Sequence, residues 1–383
     1  MKKLWITILF LFFIGIKVDA EELQLAENAK SAILIEASTG EIIFEKNSTE
    51  KLHPASMTKM MSMLLIVEAV EDGIISWDEM VTVSENASGM GGSQILLETG
   101  EKMSVSDLFK GIAVASGNDA VVALAEKIAG TEEGFVSMMN NRAKELGLKN
   151  TNFKNPHGLD ATNHYSSAYD MSLIAKELVK HEKVLKYTAI YEDYLRENTD
   201  RKIWLVNTNK LVRFYEGVDG LKTGYTAEAG YCLTATAKKD GMRLIAVVMG
   251  EPDSQTRNSE VTSLLDYAFA QYEVIDLLEN KSIGKYKVDK AKSELVEIVP
   301  MEQATILQKK ANKSQKYTYD IDINNIKAPV KKGTKVGNLT IKQDNKKIRT
   351  ISLTVDKTVK KANILDLYLR YLKEIVTGNI SFK

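Results

Sequence analysis

Ser56 and Lys59 stand three residues apart, a spacing that lets a hydroxyl and an amine meet one turn apart on a helix face. Near neutrality a serine hydroxyl is a weak nucleophile and needs a neighbouring base. A lysine can be that base only where burial or nearby cations lower its pKa, and Met60, Met61 and Met63 offer apolar surroundings. The chemistry open to such a pair is acyl transfer through a covalent ester. Taken alone, the spacing is that of a capping serine and a surface lysine, since two such common residues fall three apart in many chains.

Two more clusters could complete a site. Ser116-Gly117-Asn118 lies between helical runs, where glycine permits a tight turn and two short polar side chains can face a cleft. Lys222-Thr223-Gly224-Tyr225 opens a β-rich region, where a cation and a hydroxyl could hold a carboxylate beside exposed backbone. Singly, these are a helix-breaking loop and a strand edge.

The elements that must carry these residues can be read from the apolar pattern. Met57–Ala69 is apolar almost all round, which a buried central helix requires, and Pro54 suits the turn ahead of it. Helices are expected at Val105–Val114, Asp119–Ile128, Glu133–Leu146, Tyr169–Lys180 and Asn258–Tyr272. Strands are expected at Ser31–Ala37 and Glu41–Glu45, then at Tyr231–Ala237 and Met242–Met249 around an Asp240-Gly241 turn. Strands from both ends of this segment and helices from its middle make an α+β domain. From about Glu273 to Val355, alternating strands and many lysines suggest a small all-β domain, and Ala362–Val376 returns to helical periodicity.

The chain of 383 residues balances 51 Lys and Arg against 51 Asp and Glu, so nothing points to nucleic acid. A single cysteine, Cys232, excludes an internal disulfide and sits in an apolar strand as a small core residue. Lys2-Lys3, the apolar run Leu4–Ile16 and a small residue at Ala20 follow the pattern of a secretory signal peptide. That run is shorter than the roughly 18 to 20 residues a membrane-crossing helix needs.

The three motifs, in this order on helix, loop and strand, resemble those of the low-molecular-mass penicillin-binding proteins of the serine D-Ala-D-Ala carboxypeptidase family. Ser116-Gly117-Asn118 is the carboxypeptidase form, where class A β-lactamases have Ser-Asp-Asn. Asn155-Pro-His-Gly-Leu-Asp160 and His164–Met171 resemble that family's active-site loop. The likeness spans Ala29–Tyr272 and is weaker around Ala328–Gly333. With the N-terminal pattern giving a signal peptide at 1–20, it implies, at 21–274, a catalytic domain of antiparallel sheet plus helical subdomain. An all-β domain at 275–358 and an amphipathic helix with its tail at 359–383 complete the implied plan.

By the same resemblance Ser56 would be the acylated nucleophile, Lys59 its base and Ser116 the proton relay to the leaving amine. Lys222 and Thr223 would hold the substrate carboxylate, with Gly224 in their motif, and Asn118 the substrate amide. The N–H groups of Ser56 and Tyr225 would form the oxyanion hole. Arg257 would assist with the carboxylate or be a solvated arginine at a helix start. His157 would place the deacylating water or be structural. Substrate and inhibitor would be the peptidoglycan stem pentapeptide and β-lactam antibiotics, with no cofactor and no metal. Three other readings stay open: a β-lactamase, a non-catalytic penicillin-sensing wall protein, and a zinc peptidase using His157, Asp160 and His164. At 100° per residue, Asp366, Arg370, Lys373 and Glu374 gather opposite Ile364, Leu365, Tyr368, Leu372, Ile375 and Val376. Such a helix either lies on the outer face of the cytoplasmic membrane or docks on the β domain.

Overall fold

The computed structural model describes residues 24–278, 282–293, 295–312 and 315–376. The expected signal peptide lies outside the described residues.

A five-stranded antiparallel sheet organises the first part of the chain, in the order β2-β1-β9-β8-β7. Its strands are β1 (Ser31–Glu36), β2 (Ile42–Lys46), β7 (Val218–Thr226), β8 (Gly230–Lys239) and β9 (Met242–Glu251). Between them in sequence come two small hairpins, β3 (Met80–Thr82) with β4 (Lys102–Ser104) and β5 (Glu192–Leu195) with β6 (Ile203–Val206). The helices are α1 (Lys59–Glu71), α2 (Glu85–Ser88), α3 (Val105–Ala115), α4 (Asn118–Ala129) and α5 (Glu132–Glu145). They continue with α6 (Ala168–Leu178), α7 (Glu182–Thr188), α8 (Leu211–Phe214) and α9 (Ser254–Gln271).

Alternation along the strands divides the core in two. Ile33, Ile35, Leu221, Cys232, Ile245 and Val247 face the helical subdomain, while Ala32, Leu34, Leu233, Ala235, Leu244 and Ala246 face α9. Successive side chains point to opposite faces, and both faces are covered, so these strands carry apolar residues without interruption. Helix α1 packs against the sheet and against α3, α4, α5 and α6. Because it has neighbours all round, Met60, Met61, Met63, Leu64 and Ile66 are all fully buried. Fully burying each is worth roughly 1.5 to 3 kcal/mol, which fixes α1 as the rigid axis of the domain.

Helix α9 begins four residues earlier than its apolar periodicity suggests. Asp253 caps it by accepting from the N–H groups of Gln255 and Thr256 at 2.8 Å. The first turn, Ser254-Gln255-Thr256, is polar, so the cap and not the apolar stripe sets the start.

Tyr272 ends α9 and opens β10 (Tyr272–Asp276), which pairs with β13 (Thr305–Lys309). The second sheet runs β11-β12-β16-β15-β14, from β11 (Gly284–Lys287), β12 (Leu295–Pro300), β14 (Tyr317–Ile323), β15 (Gly337–Gln343) and β16 (Lys346–Val355). Its own core holds Ile298, Leu339, Ile341, Ile351 and Leu353. Arg349 joins the two parts, donating to Ser38 O at 3.1 Å and Thr305 O at 2.8 Å. Helix α10 (Ile364–Val376) follows, with a reciprocal cap between Asn363 and Asp366. No helix among the described residues is long and apolar enough to cross a membrane.

Candidate active site

Ser56 sits in a short 3-10 turn, Ala55–Thr58, that feeds directly into α1. Lys59 is the first residue of α1 and is fully buried. Its Nζ donates to Ser56 Oγ at 3.0 Å and to the His157 carbonyl at 2.7 Å. Burial, the largest influence, together with the Lys222 cation pushes the Lys59 pKa well below the ordinary lysine range, against the pull of Asp119. A neutral amine in contact with a hydroxyl is the arrangement a serine nucleophile needs.

The turn that carries Ser56 is clasped from two sides. On one side is Gly158, at φ +89°, where an added Cβ would come within 1.9 Å of Ala55 O. On the other is Gly224 of β7, where a Cβ would lie 2.8 Å from Pro54 O and 3.2 Å from Ser56 N. Only glycine permits these approaches. The third motif is thereby pressed against the first, along β7, an edge strand of the sheet.

Lys222 is buried and donates to Thr223 O at 3.0 Å. Burial first, and the Arg257 cation second, push its pKa down to about 7. Arg257 is itself buried in the first turn of α9, its guanidinium donating to Asn258 Oδ1 at 2.9 and 3.1 Å. It is therefore not a solvated arginine. Two cations held beside each other in a dry setting are unfavourable until an anion joins them.

Ser116 closes α3 in the left-handed region at φ 64°, a conformation that costs a non-glycine residue on the order of 1 kcal/mol. This tight reversal starts α4 at once, so Ser116 and Asn118 both end up buried between the two helices. Asn118 Nδ2 donates to Gly91 O at 2.7 Å, while its Oδ1 is buried and has no partner among the described residues. A buried amide oxygen without a donor costs about 1 to 3 kcal/mol, and a ligand N–H would relieve that cost. Thr208 ties this motif to the third: its N–H donates to Val114 O at 3.2 Å, and its hydroxyl accepts from Thr223 Oγ1 at 2.8 Å.

The ring of His157 is engaged inside the protein. Its Nδ1 accepts from the Leu159 N–H at 3.2 Å and its Nε2 faces Glu132 Oε1 at 3.5 Å. What it presents to the site is its carbonyl, which orients Lys59. His164 is likewise committed, to Thr58 Oγ1 at 2.8 Å and to the Lys154 N–H at 3.0 Å. Burial holds its pKa down at about 4. With both nitrogens of His164 occupied and Asp160 accepting from Thr226 at 3.0 Å, these residues do not converge as zinc ligands. Among the described residues no group of three His, Cys, Asp or Glu could hold a metal ion. Cys232 is buried and its pKa is raised to about 11 by burial, so it stays a thiol.

Sequence reasoning missed several supports. Asp119 accepts from the N–H groups of Ile95 and Leu97 at 3.0 and 3.1 Å, shaping the loop beside Asn118. Arg196, paired with Glu101 at 2.6 Å, donates to Ile95 O at 3.0 Å and Leu96 O at 3.2 Å. Thr208 and Glu132 complete the set. Asp119 adjoins a motif and so could have been suspected; the others act across long sequence separations that no local pattern records.

Residues 17–253 match the family model described as D-alanyl-D-alanine carboxypeptidase, and residues 272–361 that of the penicillin-binding protein 5 C-terminal domain. The chain is 52% identical over 362 residues to the D-alanyl-D-alanine carboxypeptidase DacF of Bacillus subtilis, covering 94% of this chain and 92% of that protein. It is 36% identical to DacA of Haemophilus influenzae over 97% of both chains. Among solved structures it resembles penicillin-binding protein 5 from Haemophilus influenzae, with a TM-score of 0.71 at 35% identity, covering 88% of this chain and 98% of that one. It also resembles penicillin-binding protein D2 from Listeria monocytogenes in its cefotaxime-bound form, with a TM-score of 0.58 at 32% identity, covering 63% and 97%.

Proposed function

Because this chain belongs to the D-alanyl-D-alanine carboxypeptidase family, we propose that its serine chemistry runs through Ser56 with Lys59 as base. The enzyme is a serine-type D-Ala-D-Ala carboxypeptidase of the penicillin-binding kind, acting on peptidoglycan. The observation that carries the residue assignment is the 3.0 Å contact between Ser56 Oγ and a fully buried Lys59.

Neutral Lys59 takes the proton from Ser56 Oγ as the oxygen attacks the carbonyl of the penultimate D-alanine. The Ser56 and Tyr225 N–H groups receive the developing oxyanion, where each donor is typically worth about 3 kcal/mol. Collapse breaks the peptide bond, and Ser116 passes the proton to the departing D-alanine amine. Water then hydrolyses the ester and regenerates the hydroxyl. The Lys222 and Arg257 cations and the Thr223 hydroxyl bind the terminal carboxylate, and Asn118 Oδ1 accepts the substrate amide N–H. A β-lactam follows the same path to a slowly hydrolysed ester.

Mass spectrometry after incubation with penicillin tests this reading: one adduct on the peptide containing Ser56 is expected, with none in Ser56→Ala. An adduct elsewhere, or fast repeated hydrolysis of penicillin without release of D-alanine from a pentapeptide, overturns it.

We infer further that the enzyme is exported, through the segment 1–20, and rests on the outer face of the cytoplasmic membrane through α10. Exposed Ile364, Leu365, Tyr368, Leu372, Ile375 and Val376 support this, since nothing else in the fold covers them among the described residues. Among the described residues, docking on the β domain is supported by Arg370, which donates to Ala291 O at 2.6 Å and Lys292 O at 3.3 Å. Release of active enzyme into the soluble fraction after truncation before Ala362 is the expected result; membrane retention of the truncated chain refutes the anchor.

A further inference from the structure

We propose that the end of the β domain from which α10 emerges is a cationic surface that binds anionic phospholipid headgroups, a reading that rests on the membrane placement of α10. The charge of this molecule is balanced overall but segregated. Residues 273–361 hold 20 Lys and Arg against 11 Asp and Glu, although the whole chain carries 51 of each. The remainder is correspondingly acidic.

Part of that excess is gathered at one end. Three segments lie side by side there, joined by bridges between Asp289 and Lys327, Ala291 and Lys361, and Val330 and Val359. Lys292 N donates to Lys360 O at 2.9 Å, Ala362 N to Lys290 O at 2.8 Å, and Lys332 N to Thr358 Oγ1 at 3.2 Å. These segments present Lys290, Lys292, Lys331, Lys332, Lys360 and Lys361, all exposed and none paired with a carboxylate among the described residues. The acids on the same segments are only Asp289 and Asp356.

The second observation is what adjoins them. Arg370 Nη2 holds α10 to the carbonyls of Ala291 and Lys292, at 2.6 and 3.3 Å. The helix is thereby fixed beside the lysines, and Lys290 and Lys361 border the same shallow depression as Ile364 and Leu365. Ile364 is 88% exposed and Leu365 63%. A surface that is apolar on one side and cationic along its margin matches a bilayer interface, where acyl chains meet anionic headgroups. A soluble polyanion would satisfy the lysines and leave the apolar face uncovered, so lipid is the occupant this arrangement favours.

Each lysine held near an anionic bilayer strengthens partitioning about fivefold, so removing four should cost several hundred-fold. The test uses the chain from Glu21 onward and a variant carrying Lys290→Gln, Lys292→Gln, Lys360→Gln and Lys361→Gln. Both are sedimented with vesicles of phosphatidylcholine alone or mixed with phosphatidylglycerol. Wild type should prefer the mixed vesicles, with a preference that fades as salt rises. The variant should bind both at the level wild type shows for phosphatidylcholine, with unchanged melting temperature and unchanged release of D-alanine. Equal binding of wild type to both vesicles, or an undiminished preference in the variant, overturns the proposal and leaves the anchor standing. Wild type binding to neither vesicle overturns the anchor as well. Lysine-dependent capture by soluble polyphosphate without any lipid preference assigns the surface to a polyanion instead and also overturns it.

Discussion

Gly158→Ala should disable the nucleophile from outside the three motifs. A Cβ at this position would lie 1.9 Å from Ala55 O and 2.4 Å from Ala55 C, where real contacts stay above 3.0 Å. The loop must therefore retreat by about 1 Å. His157, the adjacent residue, supplies the carbonyl that receives Lys59 Nζ at 2.7 Å, and a retreat of that size ends the hydrogen bond. Lys59 then loses the acceptor that aims it at Ser56, and a misplacement of about 1 Å in a catalytic group costs on the order of 10²-fold in rate. The left-handed φ adds roughly 1 to 2 kcal/mol of instability, or a few degrees in melting temperature. The assay is the second-order acylation constant with a fluorescent penicillin, measured beside a thermal melt. A folded variant that is acylated within about threefold of the wild-type rate refutes the reasoning. His157→Ala keeps both the carbonyl and the glycine, and should cost less than Gly158→Ala; the reverse order would place the function in the imidazole.

Lys59→Arg keeps the charge but cannot be deprotonated, so its acylation should fall well beyond tenfold, about 1.4 kcal/mol in barrier; a smaller loss means another base. The pH dependence of kcat/KM should reflect both lysines, Lys59 being needed without its proton and Lys222 with its own, which it loses near about 7 in the free enzyme; a profile flat across that range contradicts the opposed roles. Both lysines have folded pKa values below their unfolded ones, so between about pH 7 and the ordinary lysine pKa the unfolded chain binds more protons. Their contribution to stability should therefore rise with pH in that window, and Lys222→Met should flatten the slope seen in thermal melts. Asn118→Ala removes both the Gly91 tether and the unpartnered oxygen, and should lower kcat/KM by about 1 to 3 kcal/mol in barrier terms; unchanged turnover of a pentapeptide would free Asn118 from any substrate role.

What could be read from the sequence was whatever local chemistry determines. The all-round apolarity of α1, the period of α3 and α4 and the Asp240-Gly241 turn each specify their element within a residue or two, because each is fixed by side chains inside the element. The start of α9 was misplaced because a polar capped turn lacks an apolar stripe. The short hairpins β3 with β4 and β5 with β6 offer only three or four residues apiece, too few for alternation to register. In the site, the motif residues were legible as a set, yet the means of lowering the Lys59 pKa were only half visible. Its methionine neighbours suggested burial, but the Lys222 cation and the His157 carbonyl come from 163 and 98 residues away. Arg257 could not be distinguished from a surface arginine until the packing of α9 buried it.

The strand order has a consequence for when the enzyme exists at all. β1 and β2 leave the ribosome first, yet β1 can pair fully with β9 only after Met249 is made. Until then the sheet behind α1 is incomplete, and an amine in water keeps its proton. The growing chain therefore carries its serine for nearly 200 residues as an ordinary hydroxyl. Closure of the sheet is a late, long-range event of the slow kind, and it switches on burial, the Gly224 clasp and the Lys222 cation together. A chain interrupted short of β9 would be inert toward both wall peptide and penicillin, so reactivity arrives as a property of the finished domain.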